Sequence, residues 1–438
     1  MEKNSEATDK NIFGDAFPRA RTTCGEILPD GTIIDLVMSK EEERLHLIRW
    51  NGTESLITPH ILFDNVVYHV PDLHPSVRQD VPFPTDAADY GADRELLAEL
   101  SQPFLDLGCS ASQAGLAVCF GIATWFADVS LSPPELVLTG PDMGQAILLL
   151  QRLRTICRRA VILSDISRAD FRRLPMELTP TFLLNQPDVS VKLRRFWETS
   201  NFRILRVPGN GGTLQSVACS KALFVGMDGG SDSWSQQAVH LPLPPKHHQV
   251  RPLEPRKEAK VTEYFQPRLQ MFRFRHLQVM RESGSAACKG EIARFWTRST
   301  IVRLLGEAPD IIKAVTPLLQ SQEQDALARR SCDPTLALAE VIWTVLHDGQ
   351  KEATITRIAE LANVLLHSRG ETLDHSPEEL GWKLRNLGLY RKRGRNGMVL
   401  RFDRQTVRRI HELARQFALE VQPVEGCRDC TEAEGTAG

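Results

Sequence analysis

Long hydrophobic runs are absent from this 438-residue sequence. The most apolar stretch, GLAVCFGIATWFADV over residues 115–129, is shorter than the roughly 20 residues that a membrane-spanning helix needs, and it contains Asp128. The first residues, MEKNSEATDK, are polar and include acids, so no secretory leader is expected. We therefore expect a cytoplasmic protein with no membrane partner.

Cysteines at metal-ligand spacing are equally scarce. Nine cysteines are scattered along the chain, and Cys427 and Cys430 form the one pair separated by two residues. Metal sites of this type usually need a second pair of cysteines or nearby histidines. The sequence therefore predicts two free thiols in a disordered tail, with no metal site and no cofactor.

The composition is that of an ordinary globular protein, with 42% hydrophobic and 25% charged residues. A chain of this length folds into about two to four domains. Changes of pattern along the chain predict their order. We expect a disordered N-terminus (1–20), a small β module (21–80), an α/β core with leading helices (94–243), a linker and helical lid region (244–350), a winged-helix domain (351–420) and the disordered tail (421–438).

The α/β core is predicted from strands that alternate with helices between residues 135 and 243. The runs ELVLT, AVILS, TFLLN, FRILRV and KALFVGM predict strands, and the segments between them, such as SRADFRRLPMEL and VKLRRFWETS, predict helices. This order is typical of a mostly parallel sheet in which ligands bind beyond the carboxyl ends of the strands. The turn after the first strand is the expected place for a nucleotide.

That turn has the outline of a phosphate-binding loop without its chemistry. A functional loop follows G-x-x-x-x-G-K-[ST], in which backbone amides hold phosphate, the lysine contacts the β and γ phosphates and the hydroxyl binds Mg²⁺. In the sequence GPDMGQAI the frame starts at Gly140 and continues through Pro141 and Gly144. The second glycine, the lysine and the hydroxyl residue are replaced by Gln145, Ala146 and Ile147.

The residues at the end of a later strand also lack the groups that ATP hydrolysis requires. In active ATPases two acidic residues follow such a strand, one oriented to Mg²⁺ and one that polarises the attacking water. After TFLL this sequence has Asn185 and Gln186, the neutral amides of the expected acids. We therefore expect a degenerate nucleotide site with no catalytic residues, a negligible or weak affinity for nucleotide, and neither ATP nor Mg²⁺ as a cofactor.

A family resemblance rests on six segments of the sequence. They are ATWFADVSLSPPELVLTGP, CRRAVILSDISRADFRRLPMELTPTFLLNQPD, VPGNGG, CSKALFVGMD, GWKLRNLGLYRKR and RRIHELAR. In this order they resemble a bacterial family of P-loop ATPase-like proteins that is related to the helicase-like ATPases of phage and mobile elements. The resemblance implies a RecA/AAA-like P-loop core. Active relatives keep the loop and the acidic pair, so their loss here implies a pseudoenzyme.

The C-terminal region has the stronger positive signal. ITRIAELANVLL is an amphipathic helix, and SPEELGWKLRNLGL is a second helix with Ser376 as N-cap, Pro377 at its first position and Glu379 closing a capping box. Two short strands, LYRKRG and MVLRF, follow and are joined at Asn396 and Gly397, a favoured hairpin turn. Helix, helix, hairpin is the layout of a winged helix.

Positive charge is concentrated in the same region. Residues 383–415 contain eleven Lys and Arg against two acids, although the whole chain has a formal net charge of -2. Such segregation is typical of a nucleic-acid-binding face, and double-stranded DNA is the expected partner. The predicted contacts are Lys383, Arg385 and Asn386 on the helix that would enter the major groove, and Arg391, Lys392, Arg393, Arg395 and Arg401 in the wing.

The leading hypothesis is a catalytically defective, ATPase-like scaffold that binds DNA through its winged helix, as a homo-oligomer or beside a partner ATPase subunit. A second hypothesis is a protein-interaction adaptor in which the basic wing has no ligand. The salt dependence of DNA binding separates the two, because contacts to phosphate weaken steeply as salt rises.

The alternative to these non-catalytic hypotheses is an enzyme. The chain would then be an unconventional or partner-completed ATPase or helicase-like motor that binds ATP and Mg²⁺. Its basic groups could come from Arg152, Arg154, Arg158, Arg159, Arg203 and Arg206, and its carboxylates from Asp142, Asp165 and Asp188. Solvated or interface arginines are the simpler interpretation of the basic residues.

Overall fold

The computed structural model divides the chain into two compact units, Met1–Leu319 and Gln320–Gly438. The residues that the structure describes are 18–86, 91–130, 133–164, 166–167, 176–186, 205–206, 215–216, 219–226, 238–243, 252–286, 308–395, 397–417, 419, 421–422, 424 and 426–430. Among them, no helix combines the length and the apolar character that crossing a bilayer requires.

The first unit begins with the β-rich segment that the sequence predicts. Its strands are β1 (Arg19–Thr22), β2 (Glu26–Ile27), β3 (Ile33–Ser39), β4 (Arg44–Trp50), β5 (Ser55–Thr58), β6 (His60–Phe63) and β7 (Val66–His69). Strands β2 to β5 form an antiparallel sheet in chain order. Strand β7 pairs with β1 in parallel and with β6 antiparallel.

Strand β3 faces two separate cores. Ile34 and Leu36 belong to the core inside the β module, whereas Ile33 and Val37 pack with the α/β part of the unit. Alternate side chains of a strand point to opposite faces, so Asp35 lies on the same face as Ile33 and Val37. A carboxylate is thereby carried into the boundary between the β module and the α/β part, where it is 1% exposed.

The rest of the first unit is a mixed α/β fold with a parallel sheet. Its strands are β8 (Glu135–Thr139), β9 (Ala160–Leu163), β10 (Thr181–Asn185), β11 (Leu205–Arg206), β12 (Gln215–Ser216), β13 (Ser220–Phe224) and β14 (Val239–Pro242). Five of them form a fully parallel sheet in the order β14-β8-β13-β10-β9. The prediction of a mostly parallel sheet is therefore confirmed.

Helices cover this sheet and lead into it. They are α1 (Pro75–Asp80), α2 (Asp93–Leu100), α3 (Gln102–Leu105), α4 (Ala111–Thr124), α5 (Met143–Ile156) and α6 (Pro255–Ala286). Leu136 and Leu138 of β8 share a core with α4, α5 and α6, whereas Val137 faces a smaller core with Phe182. Both faces of the sheet are buried, which explains the continuous apolar runs of its strands.

Two details of the predicted sheet are wrong. FRILRV is not one of its strands, because β11 pairs antiparallel with β12 outside the parallel sheet. The fifth strand is β14, which lies inside the predicted core (94–243) but was not among its predicted strands. Pro242 is tolerated there since β14 is an edge strand. The predicted helix VKLRRFWETS lies outside the described residues.

The second unit contains the whole range predicted as a winged helix (351–420). After α7 (Pro309–Ser331), which includes the boundary between the units, come α8 (Pro334–His347), β15 (Glu352–Thr354), α9 (Ile355–Ser368), α10 (Pro377–Asn386), β16 (Lys392–Gly394), β17 (Gly397–Arg401) and α11 (Arg404–Gln416). The three strands form an antiparallel sheet in the order β15-β17-β16. Helix α8, whose residues fall in the region predicted as linker and lid (244–350), lies in this unit.

Local signals place α10 and the hairpin. The capping box of Ser376 and Glu379 and the position of Pro377 are confirmed. In the hairpin, Gly394 pairs with Gly397, so the two-residue loop begins one position earlier than predicted. Gly397 has a φ of 113°, which a residue with a Cβ adopts only with strain. Asn396 lies outside the described residues.

Described residues of the C-terminal segment pack into the second unit. Val421 and Val424 pack against the core of the second unit, and Cys430 is 4% exposed within it. The expectation of a disordered tail is therefore wrong for the described residues between 421 and 430. The segment 431–438 lies outside the described residues. The sequence of this segment contains few apolar residues besides its valines and cysteines, so its composition predicts disorder. The packing of these side chains against the rest of the unit orders the described residues.

Candidate nucleic-acid interface and nucleotide loop

The turn after β8 is tied to its neighbours by the backbone. The Gly140 N–H donates to the carbonyl of Gly226 at 3.2 Å, and the Leu243 N–H donates to the carbonyl of Thr139 at 2.7 Å. A Cβ at Gly140 would lie 2.9 Å from side-chain atoms of Leu243. The glycine is thus needed for packing against the segment after β14, which accounts for it without a phosphate.

Helix α5 begins three residues after Gly140, so the long loop of the motif does not form. Asp142 is the N-cap, and its Oδ1 accepts hydrogen bonds from the backbone N–H groups of Gly144 at 2.8 Å and Gln145 at 3.3 Å. Backbone N–H groups at a helix N-terminus are the donors that bind phosphate in nucleotide loops. Here a carboxylate of the chain itself occupies them, and Pro141 has no N–H to offer.

Two of the three residues that replace the second glycine, the lysine and the hydroxyl residue of the motif are buried. Ala146 is 0% exposed and belongs to the main core, and Gln145 is 5% exposed. Ile147, at the hydroxyl position, is 38% exposed. The side chain at the lysine position of the motif therefore faces the core, where it cannot contact a bound phosphate.

Of the two amides at the end of β10, Gln186 makes a structural contact. Gln186 Oε1 accepts a hydrogen bond from the backbone N–H of Ile166 at 2.9 Å, which ties the segment after β9 to the end of β10. Among the described residues, the buried Oδ1 of Asn185 accepts no hydrogen bond. These two residues lie at the carboxyl edge of the sheet, as predicted, and Gln186 holds that edge together.

Two of the arginines considered as substitutes for the lysine, Arg158 and Arg159, lie beyond the opposite end of α5. Helix α5 has 14 residues, so its ends are about 20 Å apart, and Arg158 and Arg159 follow its C-terminal end. Both guanidinium groups are buried against Asp35, with N–O distances of 2.9 and 2.5 Å. Neither can reach the turn at Gly140. Arg203 and the carboxylates Asp165 and Asp188 lie outside the described residues.

The buried ion cluster includes a third arginine and a second carboxylate. Arg273 of α6 lies 3.4 Å from Asp35 and 2.5 Å from Asp128. Burial raises the pKa of Asp35, but Arg158, Arg159 and Arg273 outweigh it and hold the pKa below its usual value. Burial and the neighbouring Arg158 lower the pKa of Arg159 to about 10. This cluster joins the β module, the sheet and α6.

Helix α10 exposes most of its predicted contact residues. Arg385 and Asn386 are exposed and Lys383 is half-buried, whereas Leu384 is 0% exposed in the core of the second unit. The helical period places the polar residues on one side and the apolar residues on the other. No described residue forms an ion pair with Lys383 or Arg385, so both charges remain available for a ligand.

The predicted wing residues fall into two groups. Lys392 lies 3.3 Å from Asp403, and Arg401 lies 3.2 Å from Glu352. Arg393 and Arg395 are exposed, and neither has an ion-pair partner among the described residues. The positive charge of the hairpin is therefore carried mainly by its tip.

Arg391 connects the hairpin to α10. A Cβ placed on Gly381 would lie 2.3 Å from Nη1 of Arg391, so the guanidinium rests directly on the helix backbone. Gly381 is buried in the middle of α10, where glycine is otherwise unfavourable. The glycine makes room for the arginine, and Arg391 joins the surfaces of α10 and the hairpin.

Two exposed aromatic residues accompany the basic residues, and sequence reasoning did not include them. Trp382 is 58% exposed, Tyr390 is 67% exposed, and the guanidinium of Arg385 lies 5.6 Å from the centroid of the Trp382 ring. Aromatic faces beside cations can stack on bases or sugars. Their presence inside GWKLRNLGLYRKR was the available signal.

A group of metal-ligating side chains was also missed. Cys427 and Cys430 lie beside His347 and His411, and the four ligand atoms are all within 4.8 Å of one another. The cysteine pair was visible in the sequence, but the histidines precede it by 16 and 80 positions. Folding of the second unit brings the four residues together.

Comparison with known proteins identifies distant structural neighbours and no family. No protein-family model and no curated protein sequence matches this chain. The apo C-terminal region of NrS-1 has a TM-score of 0.33 at 9% identity, covering 84% of this chain and 95% of that one. SCCmec type IV Cch, an active helicase, has a TM-score of 0.45 at 10% identity, covering 91% and 81%. Drosophila ORC bound to DNA has a TM-score of 0.20 at 13% identity, covering 79% and 97%.

Proposed function

We propose that this protein is a catalytically defective, P-loop ATPase-like scaffold that binds double-stranded DNA through a C-terminal winged helix. The observation that carries the proposal is the exposed basic surface formed by α10 and the hairpin tip. Lys383, Arg385, Arg393 and Arg395 supply its charge, and no described residue neutralises them by an ion pair. Arg391 closes the space between the helix and the hairpin.

The order of elements in the second unit supports a winged helix. A helix, a strand, two helices and a hairpin follow one another, and the first strand pairs with the hairpin. In this arrangement α10 is the helix that would enter the major groove, with Asn386 and Arg385 at its C-terminal end. The hairpin tip would contact phosphates beside the groove. Trp382 and Tyr390 would add contacts to the sugar and base edges.

The topology of the first unit supports an ATPase-like origin. The chain leaves β8 towards β9 at one edge of the sheet and leaves β13 towards β14 at the other edge. Adjacent strands whose connections run in opposite directions form the crevice in which α/β proteins bind ligands. In this chain the crevice is occupied by the Asp142 carboxylate and by backbone contacts of Gly140, so we assign it a structural role.

The test is to measure, by fluorescence anisotropy, the binding of a labelled DNA duplex to the full-length protein over a range of salt concentrations. The logarithm of the association constant should fall linearly with the logarithm of salt, since cations displaced from phosphate set the slope. Arg393→Glu with Arg395→Glu should abolish detectable binding at the highest salt tested. Replacing the same two residues by alanine should reduce the slope by about 1 for each phosphate that the variant no longer neutralises.

A matched control separates a local contact from a general charge effect. Arg44→Glu with Lys257→Glu changes the net charge by the same amount, and both positions are exposed in the first unit. The control variant should keep the affinity and the salt slope of the wild type. Binding that is equally weak in both double variants, or a wild-type affinity that does not depend on salt, would contradict the proposed interface.

A further inference from the structure

The four residues of the second unit that lie together come from three parts of its sequence. His347 is the last residue of α8, His411 lies within α11, and Cys427 and Cys430 belong to the segment that follows α11. His411 and Cys430 are each 4% exposed. The cluster therefore lies at the place where the C-terminal segment packs against the two helices.

The distances in the cluster match those around one tetrahedral ion. Nε2 of His411 is 3.3 Å from Sγ of Cys430 and 3.4 Å from Sγ of Cys427, and Nε2 of His347 is 3.5 Å from Sγ of Cys430. With Zn–S of about 2.3 Å and Zn–N of about 2.0 Å, tetrahedral geometry places sulfur and nitrogen about 3.5 Å apart. One ion fits between the four ligand atoms.

Both histidines are already oriented for metal binding. Nδ1 of His347 donates to the carbonyl of Trp343 at 2.8 Å, and Nδ1 of His411 donates to the carbonyl of Val407 at 2.9 Å. A hydrogen bond from Nδ1 to a carbonyl sets the tautomer in which Nε2 carries the free lone pair. In each residue it is Nε2 that faces the two sulfurs.

The surroundings are those of a structural site. The ring of Trp343 lies 4.4 Å from the ring of His347 and 4.7 Å from that of His411, measured between centroids. The core of the second unit surrounds Cys430 with apolar side chains. No fifth His, Cys, Asp or Glu of the described residues belongs to the group. Four protein ligands complete a tetrahedron and leave no open position for a substrate, which is typical of structural and not catalytic zinc.

The backbone turn before Cys427 also favours the binding of one ion by both cysteines. Gly426 has a φ of 84°, and the N–H of Cys427 donates to the carbonyl of Val424 at 3.1 Å. A left-handed residue just before the first thiol allows the chain to bend so that the two thiols converge. The C-x-x-C segment therefore has the backbone shape that binding of one ion requires.

We propose that His347, His411, Cys427 and Cys430 bind one Zn²⁺ and that this ion fastens the C-terminal segment to α8 and α11. Two imidazoles and two thiolates in a tetrahedron favour zinc over the oxygen-preferring Mg²⁺ and Ca²⁺. Binding releases the two thiol protons to solvent, and both histidines bind in their neutral form. The site does not depend on the proposed DNA-binding function.

The experiment uses the full-length protein, purified under reductant without added chelator. Elemental analysis should find one zinc per chain. Replacement by Co²⁺ should produce the visible absorption of a tetrahedral ion together with thiolate-to-metal charge-transfer bands. Removing the ion with a strong chelator should lower the melting temperature, and zinc should restore it, because an ion that binds only the folded state stabilises that state.

Variants assign the ligands. Cys427→Ser with Cys430→Ser should reduce the zinc content from one per chain to none. The matched control is Cys332→Ser with His367→Asn, which removes a thiol and an imidazole of the same unit that lie outside the cluster, and it should keep full occupancy. Cys427→His should still bind Co²⁺, with weaker charge-transfer bands, so the assignment can be tested even if the double serine variant does not fold.

Three results would overturn the proposal. One is a wild-type protein that contains no zinc and gains none when zinc is supplied under reductant. Another is full occupancy in the double serine variant. The third is a disulfide between Cys427 and Cys430 in protein kept under reductant, which a mass lower by two hydrogens would reveal. DNA binding can fail in its own assay without altering any of these outcomes.

Discussion

The carboxylate of Asp142 accepts a hydrogen bond from the backbone N–H of Gly144 at 2.8 Å, in the position where a nucleotide loop would hold a phosphate. The N-terminus of α5 is therefore capped by a carboxylate of the chain itself. The neighbouring Ala146 is fully buried, so the lysine position faces the core. The N-terminus of α5 therefore differs from a phosphate-binding loop in its backbone as well as in its side chains.

Restoring the missing side chains should not restore nucleotide binding. Ala146→Lys with Ile147→Thr should bind no Mg-ATP by titration calorimetry, as the wild type should not. The buried lysine should lower the free energy of unfolding by at least about 2 kcal/mol. Ile147→Thr alone, at a partly exposed position, is the control and should cost much less. Micromolar Mg-ATP binding by the double variant would show that the loop geometry is intact.

A glycine in α10 offers a test that leaves the charge of the protein unchanged. Gly381→Ala should displace the Arg391 guanidinium, because the added Cβ would lie 2.3 Å from Nη1. Stability should stay equal or rise by up to about 1 kcal/mol, since alanine is the better helix former. DNA affinity should fall several-fold in anisotropy titrations. In an Arg391→Ala background the same change should have no further effect, and an additive loss would mean that Gly381 acts independently of Arg391.

The buried ion cluster should be sensitive to the loss of one carboxylate. Asp35→Asn leaves three arginines facing Asp128 alone. Breaking a buried ion pair from one side costs about 3 to 5 kcal/mol, because uncompensated charge remains in the interior. Chemical denaturation should detect this loss. Glu42→Gln, which removes an exposed partner of His46, should cost no more than about 1 kcal/mol. Equal effects of the two substitutions would contradict the structural role of the cluster.

The same cluster predicts a dependence on acid. The pKa values of Asp35 and Asp128 lie below their usual range, since the attraction of the arginines exceeds the effect of burial. A lowered folded-state pKa contributes stability above the unfolded value of about 3.9, and this contribution disappears as the pH falls through the folded value.

Thermal unfolding should therefore begin at lower temperature as the pH drops below about 4, in line with the usual aspartate pKa. Asp35→Asn should flatten this dependence on pH. Asp86→Asn, at an exposed position, serves as the control and should leave the dependence as it is in the wild type. If Asp35→Asn keeps the full acid dependence, other carboxylates are responsible for it.

Local chemistry made several elements predictable from sequence. The capping box at Ser376 and Glu379 begins α10, and the apolar runs of β8 and β10 become buried parallel strands. These signals involve residues within a few positions of one another, so the chain needs no distant partner to express them. The clustering of basic residues around the hairpin was visible for the same reason.

Long-range contacts settled the other features. In the sequence, Arg158 and Arg159 follow the turn at Gly140 closely enough to be candidates for binding a nucleotide there. In the structure they are buried against Asp35, more than 120 positions earlier, and cannot reach that turn. Cys427 and Cys430 could be read as free thiols until His347 and His411 were found beside them. Which distant residues meet depends on how the helices and strands pack and in which order the strands pair. Burial energy summed over the entire core selects that arrangement, and no short stretch of sequence contains it.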